Sequence, residues 1–99
     1  MFIVFLRFSA RRDQAGQLMQ AHKDWLQRGF DDGVFLLAGS LQLQAGGMIL
    51  ACGLTQAQLE ERLSSDPFVA QDVVQAAIVA VALAKADPRL AFLLANMDR

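Results

Sequence analysis

Four stretches of this chain are apolar on both of their alternating faces, and nothing else in the sequence constrains the fold as much. They are residues 2–8, 34–41, 48–54 and 73–83. In the first, Phe2, Val4, Leu6 and Phe8 share one face, while Ile3 and Phe5 put apolar groups on the other. In the second, Val34, Leu36 and Ala38 stand against Phe35, Leu37 and Leu41, and Gly39 lets backbone or ligand come close. The third places Cys52 on the face of Met48 and Leu50, and the fourth is rich in valine. Strands of this kind need cover on both sides.

Helical patterns lie between them. The spacing predicts a helix over residues 12–28, with Leu18, His22, Trp25, Leu26 and Gly29 on one face and Gly29 as its C-cap. Asp31-Asp32-Gly33 reads as the turn that follows, and residues 42–47 as a polar, glycine-rich hairpin loop. Thr55 and Gln58 have the spacing of a capping box, opening a second helix that runs to Leu63 with Leu59 and Leu63 inward. Asp66-Pro67 reads as the N-cap and first position of a short helical turn. Asp87-Pro88 repeats that signal before a short C-terminal helix over residues 90–97, with Leu90, Leu93, Leu94 and Met97 apolar.

The order is therefore β-α-β-β-α-β with an added C-terminal helix. The expected fold class is α+β: a ferredoxin-like, antiparallel four-stranded sheet with two helices on one face. A chain of 99 residues fits one such domain. Two helices cover one face of the sheet, and the C-terminal helix is too short to cover the other. The expected solution is a homodimer packed sheet to sheet about a two-fold axis. The apolar fraction of 55% points the same way, because one small copy cannot hide that much apolar surface.

Composition removes several classes of function. The net charge is −1, and the closest approach to a basic patch, Arg7, Arg11 and Arg12, is followed directly by Asp13, so no nucleic-acid partner is expected. The opening apolar run ends at Arg7 with no basic segment before it, and the longest apolar run, residues 76–84, is too short to span a bilayer. A soluble, cytoplasmic protein is expected, without a membrane partner. Cys52 is the only cysteine, which excludes an intrachain disulfide, fits a reducing compartment and reads as buried rather than nucleophilic. One histidine and scattered carboxylates give no metal-ligand cluster, and no cofactor is expected. Ser40 lacks the flanks of a nucleophile elbow, and Gly46-Gly47 has no helix directly behind it to bind phosphate.

What remains is His22 on the first helix and Asp66 at the corner before Pro67. An imidazole can give and take a proton in one cycle. A carboxylate on one ring nitrogen fixes the tautomer and stabilises the imidazolium. If the two meet, His22 becomes a base that needs no metal or cofactor, and Trp25 and Phe68 would wall a pocket for a small, flat substrate. Each of these residues also has a plainer role. His22 can simply pack, Asp66 can simply cap, and Trp25 and Phe68 can belong to the core. Catalytic enzyme and non-catalytic ligand-binding or accessory module both stand on the sequence.

Five pieces of the chain, in order and spacing, resemble the YCII-related family of the dimeric α/β-barrel superfamily. They are the opening strand from Phe2 to Leu6, His22-Lys23-Asp24-Trp25-Leu26, Leu37-Ala38-Gly39-Ser40, Gly46-Gly47, and Ser65-Asp66-Pro67-Phe68-Val69-Ala70. The resemblance covers residues 2–84 and leaves the tail outside it. In that family the matching histidine and aspartate are regarded as the active-site pair, which carries over to His22 and Asp66. The family's pocket lies between sheet and helices, which implies Trp25, Gly39, Ser40 and Phe68 as its wall. Family members often have proline where this chain has Ser40, so the wall differs there. The superfamily holds isomerases, cofactor-free oxygenases and haem enzymes, and the fold does not choose among them.

Overall fold

In the computed structural model, which describes residues 1–96, one antiparallel sheet runs in the order β2-β3-β1-β4. The strands are β1 (Phe2–Phe8), β2 (Phe35–Leu41), β3 (Gly46–Ala51) and β4 (Val74–Ala80). Helix α1 (Ala15–Asp31) joins β1 to β2, while α2 (Gln56–Ser64) and the single turn α3 (Pro67–Ala70) join β3 to β4. This is the expected ferredoxin-like α+β fold. The helices cover the face of Val4, Leu6, Ile49 and Ala51, where Trp25, Leu59, Leu63 and Phe68 complete one core.

The opposite face is apolar as well. Register sets Ile3 beside Leu50 and Val79, and Phe5 beside Met48 and Ala77. Leu37, opposite Leu50, stays 47% exposed, and Val79 45%.

Local signals account for most of the corners. The Thr55 hydroxyl accepts the Gln58 amide at 3.1 Å, and the Gln58 side chain accepts the Thr55 amide at 2.9 Å, completing the capping box. Asp87 accepts both the Arg89 amide, at 2.9 Å, and its guanidinium, at 3.0 Å, which holds the Asp87 carboxyl below the usual carboxylate range.

Elsewhere the boundaries move. A 3₁₀ turn over Arg12–Gln14 precedes α1, and the helix runs past Gly29 to Asp31. Gly29 is not the C-cap. It is glycine because a Cβ there would come within 2.0 Å of the Phe35 ring. The left-handed position falls to Gly33, at φ +74°, whose amide donates to the Phe30 carbonyl at 3.0 Å. The hairpin is tighter than expected, with a 3₁₀ turn at Gln42–Gln44 and β3 already starting at Gly46. Cys52 lies just beyond β3, not on the strand face of Met48 and Leu50; it is buried, and its amide donates to the Val34 carbonyl at 3.0 Å.

Strand β4 stops at Ala80, short of the expected Leu83. The C-terminal segment is not an α-helix. It forms 3₁₀ turns over Pro88–Asn96, interrupted where Leu90 leaves helical geometry, and it buries Leu93 while Leu90 and Leu94 stay exposed. Met97 lies outside the described residues. Among the described residues no helix is long and apolar enough to cross a membrane.

Candidate functional site

The Asp66-Pro67 signal builds the first half of the site. Pro67 fixes the backbone for the first position of α3, and Asp66 Oδ1 caps the turn by accepting the Phe68 amide at 3.1 Å. That cap pins the carboxyl group, which is fully buried. The second half comes from α1, which packs against α3 and places His22 Nδ1 2.8 Å from the same Asp66 Oδ1. The Phe68 ring lies flat on the imidazole, with centroids 4.1 Å apart and planes 6° from parallel. Trp25, one turn along α1, backs the imidazole at 5.8 Å. One hydrogen bond and two ring contacts thus hold a side chain that is 15% exposed.

The hydrogen bond has a chemical consequence. A carboxylate at Nδ1 favours the tautomer that carries its proton there and directs it to Asp66. Asp66 Oδ1 accepts twice, whereas Oδ2 is buried with no partner among the described residues.

Beside the imidazole, α1 and the sheet enclose a cavity of about 290 Å³. Met19, His22, Lys23 and Leu26 form its helical wall, and Phe68 stands beside His22. Leu6, Phe8, Ala38, Ser40 and Val74 line the sheet side, with the backbone of Gly39, Gly46 and Gly47. The space exists because of side-chain size. In the sheet wall Ser40, Gly47 and Leu6 lie in register, and two of these three are small. The volume is at the low end for ligand sites, enough for a single ring with few substituents.

Four of the expected site residues, His22, Phe68, Gly39 and Ser40, line this cavity. Asp66 does not reach it and stands behind His22. Trp25 does not line it either. It is 2% exposed, packs on Phe35 at 5.3 Å between ring centroids, and its indole N–H donates to the Arg62 carbonyl at 3.0 Å. Three residues beyond His22, it points past the cavity into the core. Lys23, outside the face of Leu18, His22, Trp25, Leu26 and Gly29, also lines the wall. The signal that could have found it is the stripe Met19, His22, Lys23, Leu26, whose i, i+3, i+4, i+7 spacing marks one helical face.

Other reactive groups are elsewhere. Burial pushes the Cys52 thiol up, against a smaller lowering by the N-terminal amino group, which keeps it a thiol at neutral pH. Among the described residues no group of three or more His, Cys, Asp or Glu could hold a metal ion.

No protein-family model matches the chain, and no curated protein matches it in sequence. A solved structure is similar in fold: 5-chloro-2-hydroxyhydroquinone dehydrochlorinase (TftG) from Burkholderia phenoliruptrix AC1100, in complex with 2,5-dihydroxybenzoquinone. The TM-score is 0.66 at 11% sequence identity, over 82% of this chain and 93% of that one. At that identity the likeness shows the fold alone.

Proposed function

We propose that this chain is a small-molecule enzyme of the YCII type, with His22 as general acid and base and Asp66 as its positioning residue. The observation that carries the reading is the 2.8 Å contact from Asp66 to His22 Nδ1, made at the wall of a largely apolar cavity. The sequence of events is short. A ring enters between α1 and the sheet. His22 Nε2 takes an acidic proton from it, and Asp66 stabilises the imidazolium that forms. Returning the proton elsewhere gives isomerisation; losing an anionic leaving group from the carbanion or enolate gives elimination or dehalogenation. The similar fold belongs to a dehydrochlorinase, which places chlorinated hydroquinones first among substrates to try. Neither metal nor cofactor is required by this chemistry, and a cytoplasmic setting goes with it.

The test is a substrate screen read by chloride release and by ring absorbance, on the native chain and on His22→Asn. Asparagine retains an N–H donor toward Asp66 and removes the distal ring nitrogen. Turnover is expected to fall by about 10²- to 10⁴-fold in His22→Asn, with an unchanged circular dichroism spectrum. Turnover that survives the substitution would sink the assignment.

A second reading has its own support: Asp66 is a helix cap, and its contact with His22 ties α1 to α3. On that reading the cavity binds a ligand without transforming it, and His22→Asn leaves affinity intact.

We also propose that a second copy covers the open sheet face of Ile3, Phe5, Leu37 and Val79. Sedimentation at micromolar concentration is expected to give twice the chain mass; a stable monomer would refute the pairing.

A further inference from the structure

The cavity's charged lining is one-sided. Among the described residues Lys23 is the sole charged side chain in its wall and no carboxylate lines it, while Asp66 is screened from it behind His22. Among the described residues Lys23 makes no ion pair, and Ser40, on the sheet side, has no hydrogen-bond partner for its hydroxyl. The nearest acidic neighbour in sequence, Asp24, is turned about 100° around the helix and is engaged with Gln20 at 2.9 Å. A second cation lies close: the Arg12 guanidinium sits 4.7 Å over the ring of Phe8, itself a lining residue. An ammonium and an uncommitted hydroxyl, both exposed to solvent, thus line the helix wall and the sheet wall of one largely apolar slot that His22 also lines, and each can donate to an oxygen anion.

We propose that the cavity selects a flat ring carrying an ionised oxygen, a phenolate, enolate or carboxylate, which Lys23 and Ser40 hold while His22 faces the ring. This rests on the acid–base reading of the same cavity and narrows its substrate class. It assigns Lys23 and Ser40 as binding residues. Neutral rings of the same shape enter the slot but gain nothing from Lys23. A cation is turned away.

The pair benzoate and benzamide isolates the charge, because they share size and planarity. With one histidine in the chain, the imidazole NMR signals report occupancy of the cavity without ambiguity. At constant ionic strength, benzoate is expected to bind about fivefold more tightly than benzamide. In Lys23→Gln that ratio is expected to collapse to about one, with benzamide affinity unchanged. Ser40→Ala is expected to weaken benzoate about threefold, and benzamide less. If both rings move the His22 signals and Lys23→Gln leaves their ratio untouched, charge selection is wrong and the cavity reading stands. If neither ring moves the His22 signals, both readings fall together.

Discussion

His22→Ala is expected to cost this small domain about 3 kcal/mol of unfolding free energy, more than an ordinary exposed helix position could. Among the described residues the imidazole is the only side chain on Asp66 Oδ1, and Oδ2 has no partner. Removing His22 leaves a fully buried carboxyl group with the Phe68 amide alone, and it also strips the flat contact from the Phe68 ring. Asp66→Ala removes the α3 cap and the acceptor for His22, at about 2 kcal/mol. The double substitution no longer strands a buried carboxyl group, so it is expected to be more stable than the two losses added together, by about 1–2 kcal/mol. Urea unfolding of the four proteins at one protein concentration measures this coupling. Strict additivity would mean that the two groups do not touch in solution, and the catalytic reading would go with the contact. His22→Asn keeps a donor on Asp66 and is expected to recover most of the stability while remaining inactive. That split separates the proton-transfer role from the structural tie.

Gly46→Ala is expected to destabilise the fold by about 3 kcal/mol or more, while Gly47→Ala, one residue on, changes stability by less than about 1 kcal/mol. The two glycines look alike in sequence and differ in what surrounds them. Gly46 sits at φ +138°, and a Cβ on it would come 1.9 Å from the Leu6 carbonyl oxygen and 2.9 Å from the Arg7 Cα. Both are backbone atoms of β1, so relief requires moving a central strand. A Cβ on Gly47 meets only the Gly39 carbonyl, at 3.4 Å. It projects from the row whose small residues leave the cavity open, so Gly47→Ala keeps the fold and fills part of the site. Thermal melts rank the stabilities. A benzoate titration followed at the His22 ring then tests whether the tolerated alanine weakens binding. Equal melting temperatures for the two variants would mean that β3 does not enter the sheet as the register describes.

Much of this was legible from the chain alone because it is local. Aromatic and β-branched content marks Phe2–Phe8 as a strand without reference to anything distant. Thr55 with Gln58, and Asp66 with Pro67, announce helix starts because the hydrogen bonds they make span two or three residues. The pairing of His22 with Asp66 was reachable only through the resemblance, since the two groups are 44 positions apart and no local pattern couples them. Where local reasoning misplaced a residue, a distant partner had taken over. Gly29 looked like a helix end and is glycine because of the Phe35 ring. Trp25 looked like a pocket wall and is claimed by Phe35 and the Arg62 carbonyl. Lys23 lies outside the face named for the first helix, yet it lines the cavity because α1 lies over a sheet row too small to fill the space beneath it.

The sequence by itself determined the order of strands and helices, the caps that start them and the burial of one sheet face, all set by periodicity and short-range hydrogen bonding. Tertiary structure alone decided where the cavity opens, which side chains reach it, and that Asp66 stands behind His22 rather than at the cavity wall. Those outcomes depend on the sizes of residues brought into register from β1, β2 and β3 and on how α1 crosses them. Such packing is a property of several segments at once, which no window along the chain contains.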